Sequence, residues 1–192
     1  MRNIFLQLVN RKHPMKKVNE PDQLVTSPFS EKKVSLQPEV AKQFQSLVVD
    51  LELANEIVLL DGYRTAYQQK KLWQFSLAEN GREYTEEFVA LPGCSEHQTG
   101  LALDIGLKGA QHDLICPNFQ ESPIVTKFRQ QMMNYGFILR YPQEKQEITG
   151  IGYEPWHFRY VGLPHSQIIE NQGWTLEEYL SFLQQQKGLD YD

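Results

Sequence analysis

Cysteine is scarce in this chain. Cys94 and Cys116 are the only two in 192 residues, too few for a disulfide framework. Long apolar runs are absent as well, and none reaches the ~18 residues a membrane helix needs. Met1 to Val9 carries two short apolar runs. That stretch is too short for the hydrophobic region of an export signal, and no small-residue cleavage pattern follows it. Positive charge is in deficit: the formal net charge is -5, and the basic runs Arg11-Lys12 and Lys16-Lys17 are short. This excludes the broad basic surface that phosphate neutralisation requires, so nucleic acid is not an expected partner. There is no internal repeat, low-complexity tract or linker. The expectation is a cytoplasmic protein with reduced thiols, independent of membranes. One domain would span residues 1–192, and the oligomeric state stays open.

Apolar spacing and turn chemistry then define the elements. Pro14, Pro21 and Pro28 make residues 1–37 an extended arm packed on a core, with an edge strand within Ile4 to Val9. Pro38 opens a helix whose stripe is Val40, Phe44, Leu47 and Val48. Ile57 to Leu60 reads as a buried strand ending at Asp61-Gly62. Thr65 caps a helix from Ala66 to about Glu79, stopped by Asn80-Gly81. Leu101 to Ile105, Phe137 to Tyr141 and Trp156 to Val161 read as strands. Ser122-Pro123 starts a helix that ends before Gly136. Two short helices follow Pro164 and Thr175, the second with a capping box. Helices and strands mix without a βαβ rhythm. That predicts an α+β fold with a mostly antiparallel sheet flanked by helices.

Two segments carry candidate chemistry: Ser95 to Asp104, and Glu154-Pro155-Trp156-His157. A hydrolytic zinc site needs three N or O ligands, an open position, and a base beside it. His97, Asp104 and His157 supply the ligands for one Zn2+ per chain, and Glu154 the base. Gly100 permits a tight turn after His97. Alternation puts Leu101, Leu103 and Ile105 on one strand face, with Ala102 and Asp104 on the other. His157 shares a face with Arg159, opposite Phe158 and Tyr160. Arg64, in a loop after a buried strand and at a helix start, is placed to bind an anion: a substrate carboxylate or a developing oxyanion. Gln69 lies one turn into the following helix. His13, His112 and His165 read as surface residues, and Cys94 as a small hydrophobe. Trp156 reads equally as core or as a contact. Residues 79–94 and 107–121 are alternative sources of a cap over the site.

The pattern Ser-x-His-x-x-Gly-x-Ala-x-Asp followed by Glu-x-Trp-His resembles the zinc D,D-carboxypeptidase family of VanX, VanY and VanXY peptidases. The positions are filled by Ser95, His97, Gly100, Ala102, Asp104, Glu154, Trp156 and His157. The segment Gly62-Tyr63-Arg64-Thr65 with Gln69 resembles that family's arginine motif. Asp61 to Thr65, Leu91 to Gln98, Gln131 to Tyr141 and Glu154 to Ser166 are similar to the bifunctional VanXY branch. The resemblance implies substrates ending in D-Ala, both the D-Ala-D-Ala dipeptide and the peptidoglycan pentapeptide precursor. It also implies sparing of D-Ala-D-Ser ends, and hence glycopeptide (vancomycin) resistance. It gives Arg64 a carbonyl- or transition-state-stabilising role and makes Ser95 and Gln69 substrate-binding candidates. Asp61 departs from the family pattern. A carboxylate there would repel a substrate carboxylate or bind a free amine, and so help set the ratio of dipeptide to pentapeptide cleavage. The competing expectations are an L,D- or D,D-carboxypeptidase or endopeptidase of mature wall, and a non-catalytic zinc-containing binding domain. An export signal would mark the first, and loss of the base the second.

Overall fold

The computed structural model describes residues 3–17 and 20–189. Its centre is a four-stranded antiparallel sheet in the order β3-β4-β6-β5, built from β3 (Ile57–Asp61), β4 (Ala102–Leu107), β5 (Phe137–Leu139) and β6 (His157–Tyr160). A two-stranded hairpin, β1 (Val25–Thr26) with β2 (Ser35–Leu36), precedes it. One sheet face carries the main core. Leu59, Leu103, Ile105, Phe158 and Tyr160 meet Phe44, Leu47 and Val48 of α1 (Pro38–Asp50) and Val125 and Phe128 of α3 (Pro123–Met132). Strand alternation therefore sorts side chains as the sequence predicts. A smaller cluster joins Ile138 and Val161 to Ile169 of α5 (His165–Gln172) and to Leu176 and Tyr179 of α6 (Leu176–Leu189).

Register decides what meets on the other face. Asp104 is paired with Asp61 on one side and with His157 on the other. Directly opposed residues in an antiparallel pair bring their Cβ atoms to about 5 Å. The β3 ladder shifts between Leu59 and Asp61, a bulge that re-aims the strand end.

Three expectations change. Ile4 to Val9 is not a strand: Asn3 accepts a hydrogen bond from Phe5 N and caps a short 3-10 turn, Ile4–Leu6. The β3 edge of the sheet is met by Phe29, whose carbonyl accepts from Leu59 N. The helix after Thr65 does not stop at Glu79. α2 runs Ala66–Phe88, with non-helical geometry only at Gly81 (φ 80°), so Asn80-Gly81 marks a kink rather than an end. Two histidines expected on the surface are half-buried: His165, whose Nδ1 lies 2.7 Å from Tyr179 Oη, and His112. Its Nε2 lies 2.9 Å from Leu107 O, and its ring fills the space a side chain on Gly106 would need. Between β5 and β6 the chain makes one short helix, α4 (Gln146–Thr149).

Candidate active site

The loop before β4 and the start of β6 place the polar residues of interest on one cleft. Ser95 begins a 3-10 turn, Glu96–Thr99, that ends at Gly100 in the left-handed region (φ 67°). A side chain is strained there, whereas glycine reverses the chain without penalty. The turn buries His97 and aims it at the sheet end. Two hydrogen bonds latch it to the arginine loop: His97 Nδ1 with Gly62 O at 2.6 Å, and Arg64 N to His97 O at 3.2 Å.

His97, Asp104 and His157 each offer a ligand atom, and these atoms lie within 4.8 Å of one another. His97 Nε2 is 3.3 Å from Asp104 Oδ2, and His157 Nδ1 is 2.8 Å from Asp104 Oδ1. A tetrahedral zinc site with bonds near 2.0–2.1 Å separates its ligands by roughly 3.3 Å. The donor set is two imidazoles and one carboxylate, and all three residues are buried. The residues present therefore fit a zinc ion.

Glu154 stands beside this triad, its Oε2 3.8 Å from His157 Nδ1. Its place is set by backbone hydrogen bonds: Glu154 N donates to Tyr141 O, and His157 N to Glu154 O. Burial pushes its carboxyl up to about 8, against the His157 charge and with that of Asp104 adding. Asp104 moves the other way. Burial raises it, but the His97 charge and the hydrogen bonds from His157 and His97 outweigh burial and hold it well below the carboxylate range. For His157, burial lowers the imidazole, but its contacts with the Asp104 and Glu96 carboxylates carry it to about 9. Two neighbouring carboxyls thus have affinities for protons pushed apart, the pattern of a charged ligand beside an acid–base group.

Arg64 reaches the cleft at Nη2, 3.9 Å from Asp104 Oδ2. Gln69 accepts from Arg64 Nη1 at 2.9 Å and donates to Ala90 O at 2.7 Å. Both ends of that amide are occupied by protein, so Gln69 orients the arginine. Asp61 is not among the cleft-lining residues. Its Oδ1 accepts from Gly62 N, and its Oδ2 lies 3.2 Å from Arg64 Nε. That pair lacks hydrogen-bond geometry, because Nε has no hydrogen-bond partner among the described residues. Ser95 lines the cleft and its side chain caps nothing. Trp156 is both core and lining. Both candidate cap segments contribute: Phe88, Val89 and Ala90 from one, Leu114 and Ile115 from the other. Tyr84 Oη lies 2.9 Å from Cys116 Sγ and ties them together.

Three residues beneath the site, Glu96, Arg140 and Tyr141, were given no role by the sequence reading. Glu96 is fully buried between Arg140 and Arg159, and Tyr141 stacks on His157 with ring centroids 4.9 Å apart. The one available signal was Arg159, which shares a strand face with His157 although arginine is rarely buried.

Comparison with known proteins agrees with the motif. A family model described as VanY, D-alanyl-D-alanine carboxypeptidase, matches residues 33–163. The chain is 64% identical over 181 residues to the bifunctional D-Ala-D-Ala dipeptidase and carboxypeptidase VanXYC of Enterococcus gallinarum, covering 94% of this chain and 95% of that protein. Among solved structures, the vancomycin-resistance D,D-dipeptidase VanXYg in complex with a D-Ala-D-Ala phosphinate analogue superposes with a TM-score of 0.87 at 41% identity, covering 94% of this chain and 72% of that one. A D,D-pentapeptidase VanY variant in complex with Zn(II), from a VanB-type resistance cassette, gives 0.78 at 31% identity, covering 92% and 99%.

Proposed function

The chain belongs to the D-alanyl-D-alanine carboxypeptidase family, and from that premise we propose a zinc-dependent D,D-peptidase that cleaves the D-Ala-D-Ala dipeptide and trims D-Ala from peptidoglycan pentapeptide precursors. The observation that carries the reading is the convergence of His97, Asp104, His157, Glu154 and Arg64 on one cleft. His97, Asp104 and His157 would hold the zinc ion. Bound there, zinc supplies Lewis acidity to the scissile carbonyl and to the attacking water.

The chain's own residues do the rest. Glu154 takes the proton of the attacking water on its carboxylate and gives it to the leaving D-Ala amine. Arg64 faces the negative charge that gathers on the carbonyl oxygen, and Gln69 holds the guanidinium there. A preset cation avoids reorganisation at the moment of attack. Phe88, Val89, Leu114 and Ile115 exclude water around the bond. Ser95 and Trp156 contact the substrate, and Asp61 acts on it through Arg64.

In this reading the enzyme works in the cytoplasm on free dipeptide and soluble precursor, spares D-Ala-D-Ser ends, and contributes to glycopeptide resistance. Among the described residues no helix is long and apolar enough to cross a membrane. The test uses zinc-loaded protein with D-Ala-D-Ala, D-Ala-D-Ser and a pentapeptide ending in each, with Glu154→Ala and a chelator as controls. Release of D-Ala from both D-Ala-ended substrates, lost in both controls, is expected. Cleavage of the pentapeptide alone would make this a plain carboxypeptidase. No cleavage by a zinc-loaded protein would leave a binding domain.

A further inference from the structure

Among the described residues, two buried polar atoms face each other without hydrogen-bond partners: Oε2 of Glu96 and Nε2 of His157. They are 3.7 Å apart, wider than a hydrogen bond, and a ring shift of about 0.5–1 Å brings them into range. The Glu96 carboxylate cannot turn away. Its Oε1 accepts from Arg140 Nε at 2.8 Å and from Arg159 Nη1 at 2.7 Å. Both guanidinium groups are fully buried, and both are anchored elsewhere. Arg140 makes a two-pronged pair with Glu177 at 2.9 and 2.7 Å. Arg159 Nη2 donates to the carbonyls of Phe5 and Gln7. Two carboxylates and two guanidinium groups balance, so the charge can stay in the core.

A neutral imidazole has one N–H and one lone pair. The nitrogen that binds a metal must present the lone pair, which puts the proton on the other. In His157 the triad faces Nδ1, so the proton belongs on Nε2, where Glu96 offers an atom that only accepts. His97 repeats the arrangement with different parts. Its Nδ1 is backed by the Gly62 carbonyl, and its Nε2 faces Asp104. Acceptors behind ligand histidines set tautomer, orientation and basicity.

We infer that Glu96 is a positioning residue: it accepts the Nε2–H of His157 and holds that ring in the tautomer whose Nδ1 can bind the metal. This rests on the reading of His157 as a zinc ligand. The arginine-bound Oε1 also explains why an isosteric change would be disruptive. In Glu96→Gln the amide oxygen must still serve both arginines, so the NH2 group turns to His157. A donor then stands where an acceptor stood, and the ring favours a proton on Nδ1, the wrong nitrogen.

The experiment measures zinc affinity by chelator competition for the parent and for Glu96→Gln, together with thermal melts of the metal-free proteins. A loss of about 10- to 100-fold in affinity, with a metal-free melt that stays cooperative, is the expected result. An affinity within about threefold of the parent would overturn the inference. A parent that binds no zinc would overturn the functional reading first, and this inference with it. The zinc-loaded parent supplies a second readout even if the variant fails to fold. Long-range 1H–15N spectra of its histidines should place the His157 proton on Nε2 and the metal on Nδ1, and the opposite assignment would sink the idea.

Discussion

Gln69 uses both ends of its amide on protein, one on Arg64 and one on Ala90. Gln69→Leu would keep its bulk and release the guanidinium. A hydrogen bond to a charged group is worth about 1.5–3 kcal/mol, so kcat/KM for D-Ala-D-Ala should fall roughly 10- to 100-fold. Zinc affinity should stay unchanged. Steady-state kinetics beside a zinc titration checks both, and an unaltered rate would remove Gln69 from the machinery. Glu154→Gln has the opposite logic, because it keeps shape and removes proton acceptance. Turnover should drop about 10²- to 10⁴-fold while the protein still takes up zinc. Loss of metal in that variant would mean Glu154 is a ligand and not a base. The clustering of His97, Asp104 and His157 was legible because a zinc hydrolase needs few residue types at set spacing. Glu96 was not, since it occupies an undefined position of the motif. Its partners Arg140 and Arg159 lie 44 and 63 residues away in sequence, and only the folded sheet brings them together.

At the scale of elements, α5 reaches the outer strand through one carboxylate. Glu170 accepts from Leu139 N at 2.9 Å at the edge of β5. Burial pushes its carboxyl up to about 7, against that hydrogen bond. A folded-state value above the unfolded one adds stability at low pH, and the contribution is lost as pH rises through about 7. Glu170→Gln keeps an acceptor for Leu139 and stops titrating. Its melting temperature relative to the parent should therefore climb between about pH 4 and pH 8, by roughly 2–4 °C per kcal/mol. Thermal melts across that range decide it, and a difference independent of pH would refute the argument. The strands were legible from alternation and the helix starts from their caps, including Pro38, Thr65 and Ser122. The kink in α2 was read as an end because Gly81 does break helical geometry locally. What sequence could not register is that the chain resumes the helix toward the cleft, where Phe88 is needed as a wall.

For the whole molecule, the ion network beneath the site gathers distant parts of the chain. Arg159 on β6 binds the carbonyls of Phe5 and Gln7, and Arg140 binds Glu177 on α6. Metal binding to His157 should therefore stabilise the fold globally and not only the cleft. At free zinc 100-fold above Kd the gain is about 2.7 kcal/mol, or roughly 5–11 °C for a chain of this size. Calorimetry with and without chelator should show one transition that moves as a unit. A zinc-insensitive melt would separate the site from the fold.

The latch between the two loops has a consequence for inheritance. Gly62 backs His97, and His97 in turn accepts from Arg64 N. The arginine loop and the histidine loop therefore share one frame, although they are 35 residues apart. Neither can be grafted from a relative alone without moving a residue of the other. Recombination within this family should preserve the two loops as a pair, and a chimera divided between them should lose metal affinity and turnover together.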